Sequence, residues 1–278
     1  MLHRERGPRA SPLNMPLVDT GRVRLEYDQH GAADRPALLL LHALGSSLAM
    51  WDAQLPRLAP HFRVLRCSLR GHGGSRGAAV SADAGDGIAT FADDACALLD
   101  ALGVARAHWC GLSLGGMVAM CAAAQRPDRV ARLILSNTAP WMGPAAAWTQ
   151  RIEVVRAHGL APLADATMER WFTAAFRERE AAEVARIRGI FLATDPSAYV
   201  TACEAIRAMD QRAQLGAIRA PTLVIQGTKD AGTTPETAAA LRASIAGARL
   251  VTVDAAHLSC IEAAEPWAAA TLAHLGMD

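Results

Sequence analysis

Short runs of apolar residues alternate along the chain with longer stretches in which apolar residues recur at helical spacing. The short runs predict strands at residues 23–27, 37–41, 62–67, 107–110, 130–136, 222–225 and 249–253. The longer stretches predict helices near residues 50–58, 88–102, 117–124, 235–243 and 265–275. This alternation predicts an α/β fold with a mostly parallel central sheet that is flanked by helices on both faces.

Residues 139–213 break this alternation, because they offer helical patterns and no convincing strand. The helical patterns cover residues 148–158, 163–176, 180–191 and 197–209. An all-helical insertion between two strands of such a sheet lies over the carboxyl edge, where α/β enzymes bind ligands. We therefore predict a core of residues 16–138 and 214–278 with a helical cap at 139–213. The alternative is a helical subdomain that only adds stability.

Composition and charge narrow the classes of protein that this chain can represent. Hydrophobic residues make up 51% of the chain and charged residues 20%, which is enough for a sizeable core. The net charge of +1, from 28 basic and 27 acidic residues, gives no bulk electrostatic case for nucleic acid or acidic membranes as partners. No apolar run reaches the roughly 18 residues that a membrane span needs.

The termini and the cysteines bear on where the protein is found. Residues 1–15 are polar and basic at first and lack the apolar stretch of a signal peptide, so we expect a flexible N-terminal extension, with Met15 a plausible alternative start. The six cysteines are scattered and form no C-x-x-C pair, which favours buried free thiols in a reducing compartment. These observations predict a cytoplasmic protein.

A serine lies between two glycines at the junction of a predicted strand and a predicted helix. The segment GLSLGG at 111–116 contains Ser113, and a sharp strand-to-helix turn there would strain the backbone of that residue. The positions two before and two after the serine must then be small, as Gly111 and Gly115 are. Ser113 is thus a candidate nucleophile. The alternative is a tight turn with no chemistry.

A nucleophilic serine needs a base, usually histidine, and the histidine needs an acid to fix its tautomer. His257 follows the last predicted strand, at the carboxyl edge of the sheet where Ser113 should also emerge. Asp230 directly follows another predicted strand and completes the chain order Ser, Asp, His. Asp230 could instead cap the next helix. We expect Asp254 to stabilise a turn, and Asn137 cannot serve as an anionic partner.

Two backbone N–H groups are candidates for an oxyanion hole. One belongs to Leu114, the residue after the candidate nucleophile, and the other to Leu44, in the loop after the predicted strand at 37–41. In the same loop, His42 is expected to be structural. The segment RGHGGSR at 70–76 fails the G-x-G-x-x-G pattern, because Arg76 occupies the third glycine position. No phosphate-binding loop or metal-ligand spacing is found, so we expect no cofactor and no metal.

Together these motifs resemble the α/β-hydrolase family over about residues 22–275. The segments that carry the resemblance are HALG at 42–45, RGHGGS at 70–75, GLSLGG at 111–116, GTKD at 227–230 and AH at 256–257. A narrower resemblance, to the 3-oxoadipate enol-lactonases, is carried by LGSSLAMWDAQ at 44–54, HFRVLR at 61–66, SNTA at 136–139, RWFT at 170–173, LATDP at 192–196 and DAAHLS at 254–259. The resemblance implies the α/β-hydrolase fold, a triad at Ser113, Asp230 and His257, and cofactor-free opening of 3-oxoadipate enol-lactone in aromatic catabolism.

The chain departs from the enol-lactonase pattern at four positions, which are His42, Ser68, Trp141 and Cys260. We expect these positions to lie around the pocket and to bear on the substrate more than on the reaction. A related carboxylesterase, lactonase or cofactor-free perhydrolase with a different small substrate therefore stays open. A non-catalytic ligand receptor on the same fold is the alternative from another class of protein.

Overall fold

The computed structural model describes residues 16–77 and 87–277. Its strands are β1 (Leu17–Asp19), β2 (Arg24–His30), β3 (Ala37–Leu41), β4 (Arg63–Cys67), β5 (Ala107–Leu112), β6 (Val130–Ser136), β7 (Thr222–Gly227) and β8 (Arg249–Val253). They form one sheet in the order β1-β2-β4-β3-β5-β6-β7-β8. The pairs β1–β2 and β2–β4 are antiparallel, and every other neighbouring pair is parallel. The predicted mostly parallel sheet is confirmed.

The α-helices of the described residues follow the strands in the alternation that the sequence predicts. They are α1 (Leu55–Leu58), α2 (Gly87–Ala101), α3 (Leu114–Gln125), α4 (Ala145–His158), α5 (Ala164–Trp171), α6 (Ala174–Arg179), α7 (Ala181–Ala193), α8 (Pro196–Ala208), α9 (Pro235–Ser244), α10 (Ser259–Glu262) and α11 (Ala264–Leu275). In the described part of the chain, none of them is long and apolar enough to cross a membrane. The predicted N-terminal extension at residues 1–15 lies outside the described residues.

The core of the molecule lies between the sheet and its helices. Strand β7 is buried along its whole length, and β3 is buried at all but its first residue, as expected where helices cover both faces of a parallel sheet. Helix α3 is buried from Leu114 to Ala123, and its small side chains let it pack closely against β5 and β6. All six cysteines are buried and none of them forms a disulfide, which confirms the predicted buried thiols.

The predicted helix at 163–176 is wrong as a single element, because the chain breaks between α5 and α6. Thr173 caps the second helix, and its side-chain oxygen accepts a hydrogen bond from the Phe176 amide at 3.3 Å. Phe172 and Phe176 lie on either side of this break and stack with ring centroids 5.0 Å apart. Because both rings are buried, the apolar spacing continues across the break and conceals it.

Two smaller differences concern short elements. The predicted helix near 50–58 is a 3₁₀ helix at Leu48–Gln54 followed by the single turn of α1. Pro56 lies in the first turn of α1 and has no N–H with which to continue a preceding helix, which accounts for the change there. Strand β1 is not predicted, because its three residues are too few and too exposed to produce an alternating pattern.

The carboxyl ends of the parallel strands bring the candidate residues to one edge of the sheet. Ser113 follows β5, Asn137 follows β6, Asp230 lies beyond β7 and His257 lies beyond β8. Between β6 and β7, the described chain contains helices α4 to α8 and no strand. Side chains from this helical segment share a cavity with the candidate residues at the sheet edge.

Candidate active site

The backbone at Ser113 has φ 56° and ψ −115°, a conformation that non-glycine residues rarely adopt. Strand β5 ends at Leu112 and α3 begins at Leu114, so the serine alone makes the turn. A Cβ atom on Gly111 would lie 2.0 Å from the carbonyl oxygen of Gly115. Only glycine therefore fits at position 111.

Gly115 is constrained in the same way by the neighbouring strand. A Cβ atom at this position would lie 2.1 Å from the carbonyl oxygen of Leu41, at the end of β3. The adjacent Gly116 would place a Cβ 2.6 Å from the side chain of Thr138. These close approaches explain why positions 115 and 116 are glycines, and they hold the turn against the sheet.

His257 and Asp230 are joined by a hydrogen bond. The Nδ1–H of His257 donates to Oδ2 of Asp230 at 2.7 Å. Asp230 is 3% exposed, and the side chain of His257 is 11% exposed. The contact fixes the imidazole tautomer, so Nε2 is left free to accept a proton.

The remaining hydrogen bonds to Asp230 keep its carboxylate ionised. Oδ2 also accepts from Thr233 Oγ1 at 2.6 Å and from Asn137 Nδ2 at 2.9 Å, while Oδ1 accepts from the amides of Gly232 and Thr233. Burial by itself raises the pKa of Asp230. The charge and hydrogen bond of His257, with the bonds from Thr233 and Asn137, outweigh burial and hold that pKa well below its usual range.

The alternatives considered for the acid have other roles. Thr234, not Asp230, is the N-cap of α9, because its side chain accepts from the Thr237 amide. Asp254 is 77% exposed and pairs with Lys229 at 2.7 Å. Asn137 has φ 44° and donates to Asp230 from behind the carboxylate. The sequence places Asn137 at the carboxyl edge, but its contact with Asp230 is visible only in three dimensions.

Ser113, Asp230 and His257 line one cavity of about 280 Å³. Its other lining residues are Ala43, Leu44, Met142, Ala147, Trp148, Arg151, Thr167, Arg170, Trp171, Tyr199 and Gly232. No hydrogen bond joins Ser113 Oγ to His257 in the described structure. In unliganded sites such bonds are often long and tighten when substrate binds.

Leu44 and Leu114 carry the two amides that the sequence singles out for an oxyanion hole. Leu44 lines the cavity, and Leu114 is the first residue of α3, where the helix dipole favours negative charge. Within residues 16–77 and 87–277, neither amide N–H has a hydrogen-bond acceptor. The next amide, that of Gly115, donates instead to the carbonyl of His42 at 3.0 Å.

His42 holds the loop that carries Leu44. Its Nδ1–H donates to the carbonyl of Ala43 at 2.7 Å, and its Nε2 accepts from the amide of Leu69 at 2.8 Å. Complete burial, aided by the neighbouring His72, lowers the pKa of His42 to about 3. The imidazole is therefore neutral and structural, as predicted from sequence.

The four departures from the enol-lactonase pattern do not line the cavity, contrary to the expectation that they surround it. His42, Ser68 and Cys260 are fully buried, and Ser68 donates to Glu26 at 2.6 Å. Trp141 is 40% exposed and packs under the guanidinium of Arg212. The departures from the pattern therefore lie outside the residues that line the cavity.

The described residues contain no group of three or more His, Cys, Asp and Glu side chains arranged to hold a metal ion. What the geometry provides is a serine on a strained turn, a histidine paired with a buried carboxylate, and two amides without acceptors. This set matches the chemical needs of acyl transfer to a serine hydroxyl.

Known proteins resemble this chain over most of its length. The α/β-hydrolase fold family matches residues 36–264. The 3-oxoadipate enol-lactonase 2 of Acinetobacter baylyi is 36% identical over 241 residues, which cover 86% of this chain and 88% of that protein. The crystal structure of the enol-lactonase from Burkholderia xenovorans LB400 has a TM-score of 0.90 and 39% identity, and the match covers 94% of this chain and all of that one.

A second curated relative is also a 3-oxoadipate enol-lactonase. The 3-oxoadipate enol-lactonase 1 of Acinetobacter baylyi is 30% identical over 241 residues, covering 87% of this chain and 89% of that protein. The fold predicted from sequence and observed in the structure is thus shared with these enzymes. The chain belongs to the α/β-hydrolase family, and it is a hydrolase of ester bonds.

Proposed function

We propose that this protein opens a small lactone, 3-oxoadipate enol-lactone to 3-oxoadipate, through an acyl-enzyme on Ser113. The observation that carries the proposal is the 2.7 Å hydrogen bond between His257 and Asp230, in the same cavity as a serine on a strained turn. The relatives named as enol-lactonases supply the substrate class. Such an enzyme would act in aromatic catabolism, in the cytoplasm, where its six cysteines, none of which forms a disulfide, stay reduced.

The first half of the reaction acylates Ser113. His257 Nε2 takes the proton of the hydroxyl as Ser113 Oγ attacks the lactone carbonyl. The Asp230 carboxylate holds Nδ1–H and stabilises the imidazolium that forms. The amides of Leu44 and Leu114 donate to the oxyanion, and each such donor typically contributes about 3 kcal/mol.

Collapse of the tetrahedral intermediate completes acylation, because the ring C–O bond breaks and the ring oxygen leaves as an enolate. An enolate is a better leaving group than an ordinary alkoxide, so it can leave before it is protonated. The proton on His257 then passes to the enolate, which becomes the ketone of the acyl-enzyme and leaves His257 neutral. In the second half, His257 takes a proton from water, the resulting hydroxide attacks the acyl-enzyme, and Ser113 is released with that proton returned to it.

The cavity suits a small substrate. Its volume of about 280 Å³ is at the lower end for ligand pockets, and tryptophans 148 and 171 supply apolar walls. The size of the cavity thus agrees with a single-ring lactone.

A kinetic comparison tests the substrate assignment. We expect kcat/KM for 3-oxoadipate enol-lactone to exceed kcat/KM for p-nitrophenyl acetate by at least 100-fold, because a cavity that fits the small ring positions its carbonyl at Ser113, whereas the larger nitrophenyl ester gains no such positioning. A Ser113→Ala variant serves as the blank for spontaneous hydrolysis of both compounds. Equal values for the two compounds would refute the lactone assignment and favour a general carboxylesterase.

A further inference from the structure

Two arginines of the helical segment reach the cavity that contains Ser113. Arg151 comes from α4 and is half-buried, and Arg170 comes from α5 and is exposed. Neither residue takes part in the chemistry assigned to Ser113 and His257. Both nevertheless add positive charge to the wall of a small cavity.

Neither arginine has a carboxylate partner among the described residues. Arg151 donates to the hydroxyl of Tyr199 at 2.8 Å and lies over the ring of Trp148, with 5.7 Å to its centroid. Arg170 donates to Thr167 Oγ1 at 3.3 Å. Burial raises the pKa of Tyr199 to about 12, so this tyrosine is neutral and balances no charge.

Most other arginines of the same helical segment form ion pairs with Asp or Glu, namely Arg156, Arg177, Arg179, Arg186, Arg188 and Arg212. Arg207 has no such pair among the described residues, but it donates to Thr149 at 3.3 Å and does not line the cavity. The lining of the cavity contributes one carboxylate, that of Asp230, and its oxygens are already held by His257, Thr233 and Asn137. The positive charge of Arg151 and Arg170 therefore faces the cavity uncompensated.

The two guanidinium groups act on each other as well. The pKa of Arg170 lies below the ordinary guanidinium value, first because part of the side chain is removed from water and then because Arg151 is positively charged. Two like charges at one cavity wall are unfavourable unless an anion binds between them. The planar fork of a guanidinium matches the two oxygens of a carboxylate.

We propose that Arg151 and Arg170 form a carboxylate-binding subsite, so that the substrate is a lactone or ester with a free carboxylate remote from its reacting carbonyl. This inference rests on the proposed function, since Ser113 marks the reacting end of the cavity. The apolar side chains of Met142, Trp148 and Trp171 then contact the carbon skeleton of the substrate. The subsite selects substrates that carry a carboxylate over neutral esters of the same size.

Binding of two unreactive ligands tests the subsite. Adipate and its neutral diamide, adipamide, have the same carbon skeleton, and neither contains an ester for Ser113 to attack. We expect isothermal titration calorimetry to show at least tenfold tighter binding of adipate to the wild-type protein. Arg151→Gln and Arg170→Gln should each weaken the binding of adipate by roughly 10- to 100-fold, which is the value of a hydrogen bond to a charged group. The loss of affinity for adipamide should be at least tenfold smaller than the loss for adipate.

A matched control lies on the same helix as Arg151. Arg156 also belongs to α4, but it pairs with Glu204 and does not line the cavity. Arg156→Gln should leave the binding of both ligands unchanged. Arg151→Lys and Arg170→Lys, which keep the charge without the fork, should bind adipate more tightly than the glutamine variants do.

The outcomes separate this proposal from the proposed function. Equal affinities for adipate and adipamide, or equal losses for both ligands in the glutamine variants, would overturn the subsite even if the enol-lactone is turned over. Selective loss of adipate binding would support the subsite even if the enol-lactone is not a substrate. In that case the lactone assignment alone fails, and another carboxylate-bearing ester takes its place.

Discussion

At the scale of single residues, the turn at Ser113 combines backbone strain with tight contacts. The serine has φ 56°, and the carbonyl oxygens of Gly115 and Leu41 lie where side chains at positions 111 and 115 would be. Strained conformations of this kind persist only when the surrounding structure holds them. The packing of β5 and α3 thus sets the position of the hydroxyl relative to His257.

We expect Gly111→Ala to destabilise the fold by about 2 to 3 kcal/mol, because its Cβ would lie 2.0 Å from a backbone oxygen that cannot move freely. Urea unfolding measures the loss. Gly189→Ala is the matched control, since Gly189 is exposed on α7 and its added Cβ would meet no atom within 4 Å. The control should be neutral or stabilising. Equal stability of the two variants would contradict the steric account of the turn.

Replacement of the buried acid tests the role of the pair that it forms with His257. Asp230→Asn should lower kcat by about 10³- to 10⁴-fold with little change in KM, because the amide can neither hold the tautomer nor stabilise the imidazolium. Asp254→Asn, at a carboxylate that is 77% exposed, should leave kcat within twofold. A wild-type kcat for Asp230→Asn would remove Asp230 from the mechanism.

At the scale of elements, one carboxylate joins the helical segment to the loop of His257. Glu262, at the end of α10, accepts from the amide of Ala256 at 2.9 Å. It also accepts from the amide and hydroxyl of Thr173, at the start of α6. The break between α5 and α6 thus places Thr173 within hydrogen-bond reach of Glu262, beside the loop that carries His257.

Loss of this carboxylate should affect stability and activity together. We expect Glu262→Ala to lower the free energy of unfolding by about 1 to 3 kcal/mol, since it leaves partly buried donors unpaired. It should also lower kcat/KM, because the His257 loop loses a support. Glu265→Ala is the control, since that exposed residue pairs with Arg57 at the surface, and its effect on unfolding should stay within about 0.5 kcal/mol. Equal effects in the two variants would contradict the link.

The same elements show what the sequence can and cannot predict. The order of strands and helices and the positions of Ser113, Asp230 and His257 at one sheet edge follow from local patterns and from the geometry of parallel sheets. The break at Thr173 does not, because the apolar spacing continues across it. The uncompensated charge of Arg151 and Arg170 does not either, since it depends on which carboxylates lie nearby after folding.

At the scale of the whole molecule, buried histidines connect stability to pH. Burial lowers the pKa of His42 to about 3 and that of His72 to about 4. His108 and His274 also have pKa values lowered to about 4, chiefly by burial. Because these values lie below the ordinary pKa near 6.5, the unfolded chain binds more protons than the folded one as the pH falls from about 6.5 to 4.

The free energy of unfolding should therefore be highest above pH 6.5 and decrease as the pH falls toward 4. Each fully buried histidine contributes up to about 1.4 kcal/mol per pH unit in this range. Urea unfolding at pH 7.5 and pH 5 measures the difference. His72→Gln, which removes one such group, should show a shallower dependence on pH. A stability that rises between pH 7.5 and 5 would contradict the neutral state of these histidines.

The turnover of Ser113→Ala tests most directly whether Ser113 is the nucleophile of an ester hydrolase. We expect this variant to lose at least about 10³-fold in kcat/KM on whichever lactone or ester the wild-type protein hydrolyses fastest, while its unfolding midpoint stays near that of the wild type. Activity at more than a few per cent of the wild-type value would contradict the account.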